Sequence, residues 1–134
     1  MRKYSEAIAD FNKAIKVFPK FPLPYASRGE AYYFQGKYDQ AMADLNKAIE
    51  LKPNNFDAFN SRGLVHLATG NYAQAIADFK EVLEAYPNKA IVYFYRASAY
   101  EAKGNVKRAE ADFKEYQRLN EEYQRRVEAE KAKK

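Results

Sequence analysis

The fold is decided by residues 22–55, which read PLPYASRGEAYYFQGKYDQAMADLNKAIELKPNN. This stretch holds two apolar patterns at helical spacing, the first ended by Gly36 and the second by Pro53. Glycine adopts the positive φ of a helix-ending turn at little cost, and proline cannot continue a helix interior. Residues 22–55 therefore predict a helical hairpin.

The same pattern recurs every 34 residues along almost the whole chain. The period aligns an aromatic column, two columns of small residues, an aspartate column, a turn-glycine column and a proline column. Their members are Tyr25, Phe59 and Tyr93; Gly29, Gly63 and Ala97; Ala7, Ala41, Ala75 and Ala109; Asp10, Asp44, Asp78 and Asp112; Gly36, Gly70 and Gly104; and Pro19, Pro53 and Pro87. A fixed period of this length indicates stacked supersecondary units. The small columns predict helix axes as close as about 8 Å.

These columns resemble the tetratricopeptide repeat (TPR) family over about residues 4–119. The motif is carried by Tyr25, Gly29, Tyr32, Gly36, Lys37, Tyr38, Ala41, Leu45, Ala48 and Pro53, and the later periods match it in register. The resemblance implies antiparallel helix pairs, stacked into a right-handed superhelix whose concave groove binds peptides or partner helices. It implies no chemistry common to its members. We therefore expect an all-α, TPR-like solenoid.

A single domain, residues 1–134, is predicted. It divides into the second helix of a partial repeat (4–19), two full repeats (22–55 and 56–89), a final repeat (90–119) and a helical extension (120–134). The expected first helix before residue 4 is missing from the pattern. Truncation of a longer array is the favoured explanation, and a covering surface supplied from elsewhere is the alternative.

The C-terminal part departs from the period because Glu121 replaces the proline of the earlier units. Because no proline interrupts the pattern there, one long helix is predicted from Val106 to about Ala129. Its polar second half suits a capping helix, which terminal repeats need for solubility. A coiled-coil partner is the alternative, although too few heptads are present to favour it.

Composition excludes several classes of protein. The net charge is +5, of which residues 103–134 contribute ten Lys/Arg against seven Asp/Glu, or +3. Acidic residues alternate with these basic ones, so a nucleic-acid-binding face is not expected. No apolar run approaches the roughly 20 residues that span a membrane. The absence of cysteine excludes disulfides and thiolate metal sites, and a cytoplasmic location is expected.

No constellation of residues points to catalysis. His66 is the only histidine, and it falls in the column of Tyr32 and Tyr100, a packing position. It has no second histidine or cysteine to form a metal site and no visible nucleophile to activate. Isolated turn glycines such as Gly36 lack the spacing of a phosphate-binding loop. The sequence predicts no enzyme, no metal and no cofactor.

Three arginines recur with the same 34-residue period as the aspartate column and are candidate partners for it. Arg28, Arg62 and Arg96 lie 34 residues apart, so three bases face four acids. Pairing between consecutive units strands Asp112, whereas pairing within each unit strands Asp10. The count does not decide between the schemes; we favour pairing between units, as in Asp10 with Arg28.

The resemblance places the groove on the faces of the first helices that do not contact neighbouring hairpins. Carried over by register, this face comprises Ser27, Glu30, Tyr33, Phe34, Asp57, Asn60, Ser61, Leu64, Leu67, Phe94, Tyr95, Ser98 and Glu101. Its aromatic residues lie outside the packing columns and are candidate binding anchors, because they bury large areas with few rotatable bonds.

The charge of this face limits its ligands. Some TPR domains clamp acidic C-termini with Lys, Asn and Arg, but the corresponding positions here hold Ala26, Glu30, Ser61, Ile91 and Tyr95. The acidic groove should prefer an apolar or basic segment. We expect a non-catalytic scaffold that binds a protein or peptide ligand. The alternative is a self-assembly module that forms a homo-oligomer through its terminal helices. Neither nucleic acid nor a membrane is an expected partner.

Overall fold

The computed structural model describes residues 2–134, with side chains from Lys3 onward. Within this range seven helices make up 83% of the residues, and no strand occurs. They are α1 (Arg2–Val17), α2 (Pro22–Phe34), α3 (Tyr38–Leu51), α4 (Phe56–Ala68), α5 (Tyr72–Ala85), α6 (Ala90–Ala102) and α7 (Val106–Ala132). Each helix packs chiefly on its neighbours in the chain, and α2 and α6 also contact α4. The predicted all-α solenoid of helix hairpins is confirmed.

The turns inside the hairpins are built by glycine. Gly36, Gly70 and Gly104 have φ values of 75°, 80° and 85°. At the first of them the Lys37 N–H donates back to the Tyr32 carbonyl at 2.9 Å, which satisfies a carbonyl at the end of α2. A side chain at these positions would strain the left-handed backbone, so the glycine column has a local physical cause.

The turns between hairpins are joined to the helix that follows by a tyrosine hydroxyl. Tyr25 donates to the Pro19 carbonyl and Tyr93 to the Pro87 carbonyl, each at 2.8 Å. Phe59, in the same column, has no hydroxyl to donate. The aromatic column therefore positions the start of α2 and α6 as well as filling space.

Small residues allow the helices of a hairpin to approach closely. A Cβ on Gly29 would lie 2.8 Å from Leu45 Cγ, and one on Gly63 would lie 2.6 Å from Phe79 Cε1. Leu45 and Phe79 are completely buried in two core clusters, the first with buried residues from α3 and α4 and the second with buried residues from α5 and α6. The core is thus a row of separate clusters, as expected for a repeat protein.

The expected pairing of aspartate and arginine between units is wrong. Each arginine of a first helix instead binds the aspartate 16 residues later, in its own hairpin. The shortest contacts are 2.6 Å for Arg28–Asp44, 2.8 Å for Arg62–Asp78 and 2.8 Å for Arg96–Asp112. This scheme leaves Asp10 exposed on α1. Sequence spacing could not decide the point, because both schemes repeat with the same period.

The predicted long C-terminal helix is confirmed as α7, which ends at Ala132, a few residues beyond the predicted end. Its first half packs on α6 and buries Ala109, Asp112 and Leu119. Its second half is largely exposed and carries Arg118, Glu122 and Arg126 in a chain of ion pairs. No proline interrupts it, so the helix continues past its last buried residue.

Candidate protein-binding groove

A concavity of about 410 Å³ opens between α1, α2 and α4. Six of the predicted groove residues line it: Ser27, Glu30, Phe34, Asp57, Asn60 and Ser61. The wall contributed by α1 consists of Tyr4, Ala7 and Phe11, none of which was among the predicted groove residues. We call this site the acidic concavity, because Glu30 and Asp57 are the charged residues among the described side chains that line it.

The exposed aromatic ring of the acidic concavity is held by its neighbours. Phe34 is 51% exposed and stacks on Tyr4 with ring centroids 5.4 Å apart. Tyr33 meets the edge of the same ring at 5.3 Å. A ring already fixed in this way loses little conformational freedom when a ligand covers it. Phe34 is therefore suited to anchor an apolar side chain.

The charges of the acidic concavity are accessible to solvent. Glu30 is exposed, and the Asp57 carboxylate is 92% exposed with the Lys89 ammonium 3.8 Å away. Exposed pairs of this kind are weak and leave the carboxylate available to a ligand. The negative potential favours a ligand with basic side chains.

Four other predicted groove residues have a large share of their surface in the interior. Leu64, Leu67 and Tyr95 pack against the core cluster around Phe79, and Tyr33 packs against the cluster around Leu45. Burial is also the main cause that raises the pKa of the Tyr33 hydroxyl. Spacing alone did not distinguish these side chains from Phe34, because all of them lie outside the repeated packing columns.

The remaining predicted residues lie on α6. The Ser98 hydroxyl donates to the Phe94 carbonyl of its own helix at 3.0 Å, and Glu101 is exposed. Phe94 is 40% exposed but does not line the acidic concavity. Instead it borders a second site between α6 and α7. The structure thus divides the predicted groove residues between two concavities and the core.

The second site, which we call the terminal concavity, has a volume of about 560 Å³. Phe94, Phe113 and Tyr116 supply its apolar wall, and polar residues of α7 from Gln117 to Arg125 complete it. The sequence carried one signal for this site. Tyr116 is a large residue in a column that elsewhere holds Ala14, Ala48 and Val82.

His66 lies outside both concavities. Its Nε2 is 3.8 Å from Asp78 Oδ2, and its buried Nδ1 makes no hydrogen bond. The pKa of the imidazole is lowered, chiefly by burial; Arg62 acts in the same direction and Asp78 in the opposite one. The ring is a half-buried packing residue of α4 beside the Arg62–Asp78 pair.

Neither a metal-binding cluster nor a membrane-spanning helix is found among the described residues. Between residues 2 and 134 no cluster of three or more His, Cys, Asp or Glu side chains could hold a metal ion. None of the described helices is both long and apolar enough to cross a membrane.

Solved structures of MamA share this fold. One MamA crystal structure aligns with a TM-score of 0.83 at 24% identity, covering 91% of this chain and 71% of that one. MamA from Desulfovibrio magneticus RS-1 aligns with a TM-score of 0.84 at 24% identity, over 89% and 67% of the two chains. MamA MSR-1 aligns with a TM-score of 0.78 at 27% identity, over 90% and 70%.

The family of the chain is visible in sequence as well as in structure. No curated protein matches it. One sequence model, described as TPR repeat, matches residues 3–36 and 29–70, and a second, described as tetratricopeptide repeat, matches residues 60–123. Together they cover the residues that line the two concavities, except Gln124 and Arg125 of α7. The chain belongs to the tetratricopeptide repeat family.

Proposed function

We propose that this chain is a non-catalytic scaffold that binds a peptide or a partner helix in the acidic concavity. The observation that carries the proposal is the convergence of Phe34, Glu30 and Asp57 on one open surface. The TPR fold supports it, since helical repeats present extended concave binding surfaces. The ligand inferred from the apolar ring and the two carboxylates has adjacent apolar and basic side chains.

A host-lysate capture with a groove variant tests this proposal. Phe34→Ala combined with Glu30→Lys should abolish capture of the ligand, because it removes the apolar anchor and reverses a charge. The matched control, Tyr123→Ala with Glu128→Lys, changes the same residue types on exposed positions of α7 and should retain it. Circular dichroism and mass measurements verify that all three proteins are folded. Equal capture by both variants would refute binding at the acidic concavity.

Self-assembly through the terminal helices is the second candidate function. The terminal concavity favours it, because Phe94, Phe113 and Tyr116 form an open apolar wall between α6 and α7. Sedimentation equilibrium of the wild type and of Phe94→Ser, over a range of concentrations, separates the two candidates. A concentration-dependent mass that this substitution removes would support self-assembly, and a constant monomer mass would exclude it.

A further inference from the structure

The central hairpin, α4 with α5, carries a histidine where the other two complete hairpins carry a tyrosine. In those two, the tyrosine ring lies beside the arginine of the ion pair: Arg28 Cζ is 6.0 Å from the Tyr32 ring centroid, and Arg96 Cζ is 5.9 Å from that of Tyr100. His66 occupies this column in the central hairpin. An imidazole gains a positive charge in mild acid, whereas a tyrosine stays neutral there. Only one of the three equivalent ion pairs therefore has such a group beside it.

The ion pair next to His66 offers little stabilisation to a protonated ring. His66 Nε2 is 3.8 Å from Asp78 Oδ2, which is beyond hydrogen-bonding distance. The Asp78 carboxylate already accepts two hydrogen bonds from Arg62, at 2.8 and 2.9 Å. Of the charged groups on the helices packed against α4, Asp78 on α5 acts on the ring, and Arg62 acts on it from α4 itself. A second cation here would share a carboxylate that is already paired.

The other ring nitrogen has no acceptor for an added proton. Nδ1 is buried and makes no hydrogen bond. In the neutral ring, Asp78 favours the proton on Nε2, the nitrogen that faces it, so Nδ1 carries a lone pair. Protonation would then place a charged N–H at the buried Nδ1, and a buried charged donor without a partner is costly. In the unfolded chain water hydrates both nitrogens, so the unfolded chain binds this proton more readily.

We propose that His66 makes the central hairpin sensitive to mild acid, because its protonation is incompatible with the packed position of the ring. An ordinary histidine titrates near pH 6.5, so the stabilising contribution of the neutral ring is complete above that pH and is lost progressively below it. The helix α4 also supplies Asp57 and Asn60 to the acidic concavity, which therefore loses a wall when this hairpin loosens. The sensitivity itself does not depend on a ligand.

Urea unfolding of the full chain at pH 7.5 and pH 5.5 tests the proposal. The matched control is His66→Tyr, which introduces the residue of the other two hairpins. The folding equilibrium constant of the wild type should fall about three- to tenfold more than that of the variant between these two pH values, since one linked proton changes it by at most tenfold per pH unit. Carboxylates titrate in both proteins, so the difference isolates His66. Equal falls would overturn the proposal.

Hydrogen exchange at pH 5.5 locates the effect. The wild type should exchange faster than His66→Tyr in α4 and α5, and a difference confined to other helices would count against the central hairpin.

A proton NMR titration provides a test that does not require the variant to fold. His66 is the only histidine, so its ring signals identify themselves in the wild-type spectrum. The imidazole should titrate at a lower pH in the folded chain than in the urea-unfolded chain, because burial disfavours its charged form. Titration at the same or a higher pH in the folded chain would refute the proposal.

Discussion

At the scale of single residues, Arg28 and Arg62 of the first helices connect consecutive units. Arg62 binds Asp78 of its own hairpin through two nitrogens and Asn46 of the preceding hairpin through a third, at 3.0 Å. Arg28 makes the same contacts with Asp44 and Asn12. These two links between units thus run through asparagine, whereas the charge pairing lies inside each hairpin.

A double-mutant cycle on Arg62 and Asp78 tests this arrangement. Asp78→Ala should lower the free energy of unfolding by about 2 kcal/mol, because it leaves a partly buried guanidinium without its bidentate partner. Urea unfolding should show strong coupling between Arg62→Ala and Asp78→Ala. Exposed Glu81→Ala, on the same helix, should change stability by no more than about 0.5 kcal/mol.

A double-mutant cycle on Arg62 and Asp44 is the control for the cycle on Arg62 and Asp78. These residues belong to consecutive units, and no hydrogen bond or ion pair joins them within the described chain. Their effects should add to within about 0.5 kcal/mol. Strong coupling between Arg62 and Asp44, together with none between Arg62 and Asp78, would contradict the pairing within hairpins.

Gly63 tests the close approach of α4 and α5. Alanine would gain about 1 kcal/mol of helix propensity, but overpacking costs about 1–3 kcal/mol. Because the added Cβ would lie 2.6 Å from the buried Phe79 ring, we expect Gly63→Ala to lose about 1 kcal/mol net in urea unfolding. Phe79→Leu in the same chain should reduce that loss. A stability gain from the single change would mean that the ring has room to move.

At the scale of elements, the two halves of α7 are stabilised in different ways. Its first half is held by burial against α6, whereas its exposed second half depends on side-chain pairs at helical spacing. Glu122 is central to these pairs, since it accepts from Arg118 at 3.2 Å and from Arg126 at 2.6 Å. Each such pair contributes only tenths of a kcal/mol.

Glu122→Ala should therefore loosen the exposed half of α7 without unfolding the protein. Amide hydrogen exchange across residues 120–132 should accelerate by about two- to fivefold, as expected from the loss of two exposed pairs. The urea midpoint should stay unchanged, because Glu122 lies outside both core clusters. A lowered midpoint would instead show that the extension stabilises the hairpins.

At the scale of the whole molecule, stability follows position in the stack. The helix α4 contacts α2, α3, α5 and α6, whereas α1, within the described part of the chain, contacts α2 alone. In a repeat protein each unit is stabilised by its own packing and by its neighbours. The central hairpin, α4 with α5, should therefore be the most stable unit.

Native-state hydrogen exchange measures this gradient directly. We expect the slowest exchange in α4 and α5, and faster exchange in α1 and in the exposed end of α7. Uniform protection from α1 to α7 would indicate one cooperative core in place of a stack.

Several features of this protein follow from its sequence by itself. The 34-residue period, the turn glycines and the proline breakers determine the hairpins and the family, because each acts through local backbone geometry. The missing proline at Glu121 likewise predicts the long α7. Local rules of this kind do not depend on which surfaces later meet.

Only the tertiary structure decided which side chains converge. Both arginine–aspartate schemes repeat every 34 residues, so the distances alone show that Asp78 pairs with Arg62. The same holds for the aromatics: Tyr95 packs against Phe79, whereas Phe34 remains open to solvent beside Tyr4. Helical register assigns a residue to a face. Burial on that face depends on the crossing of neighbouring helices, which no local pattern encodes.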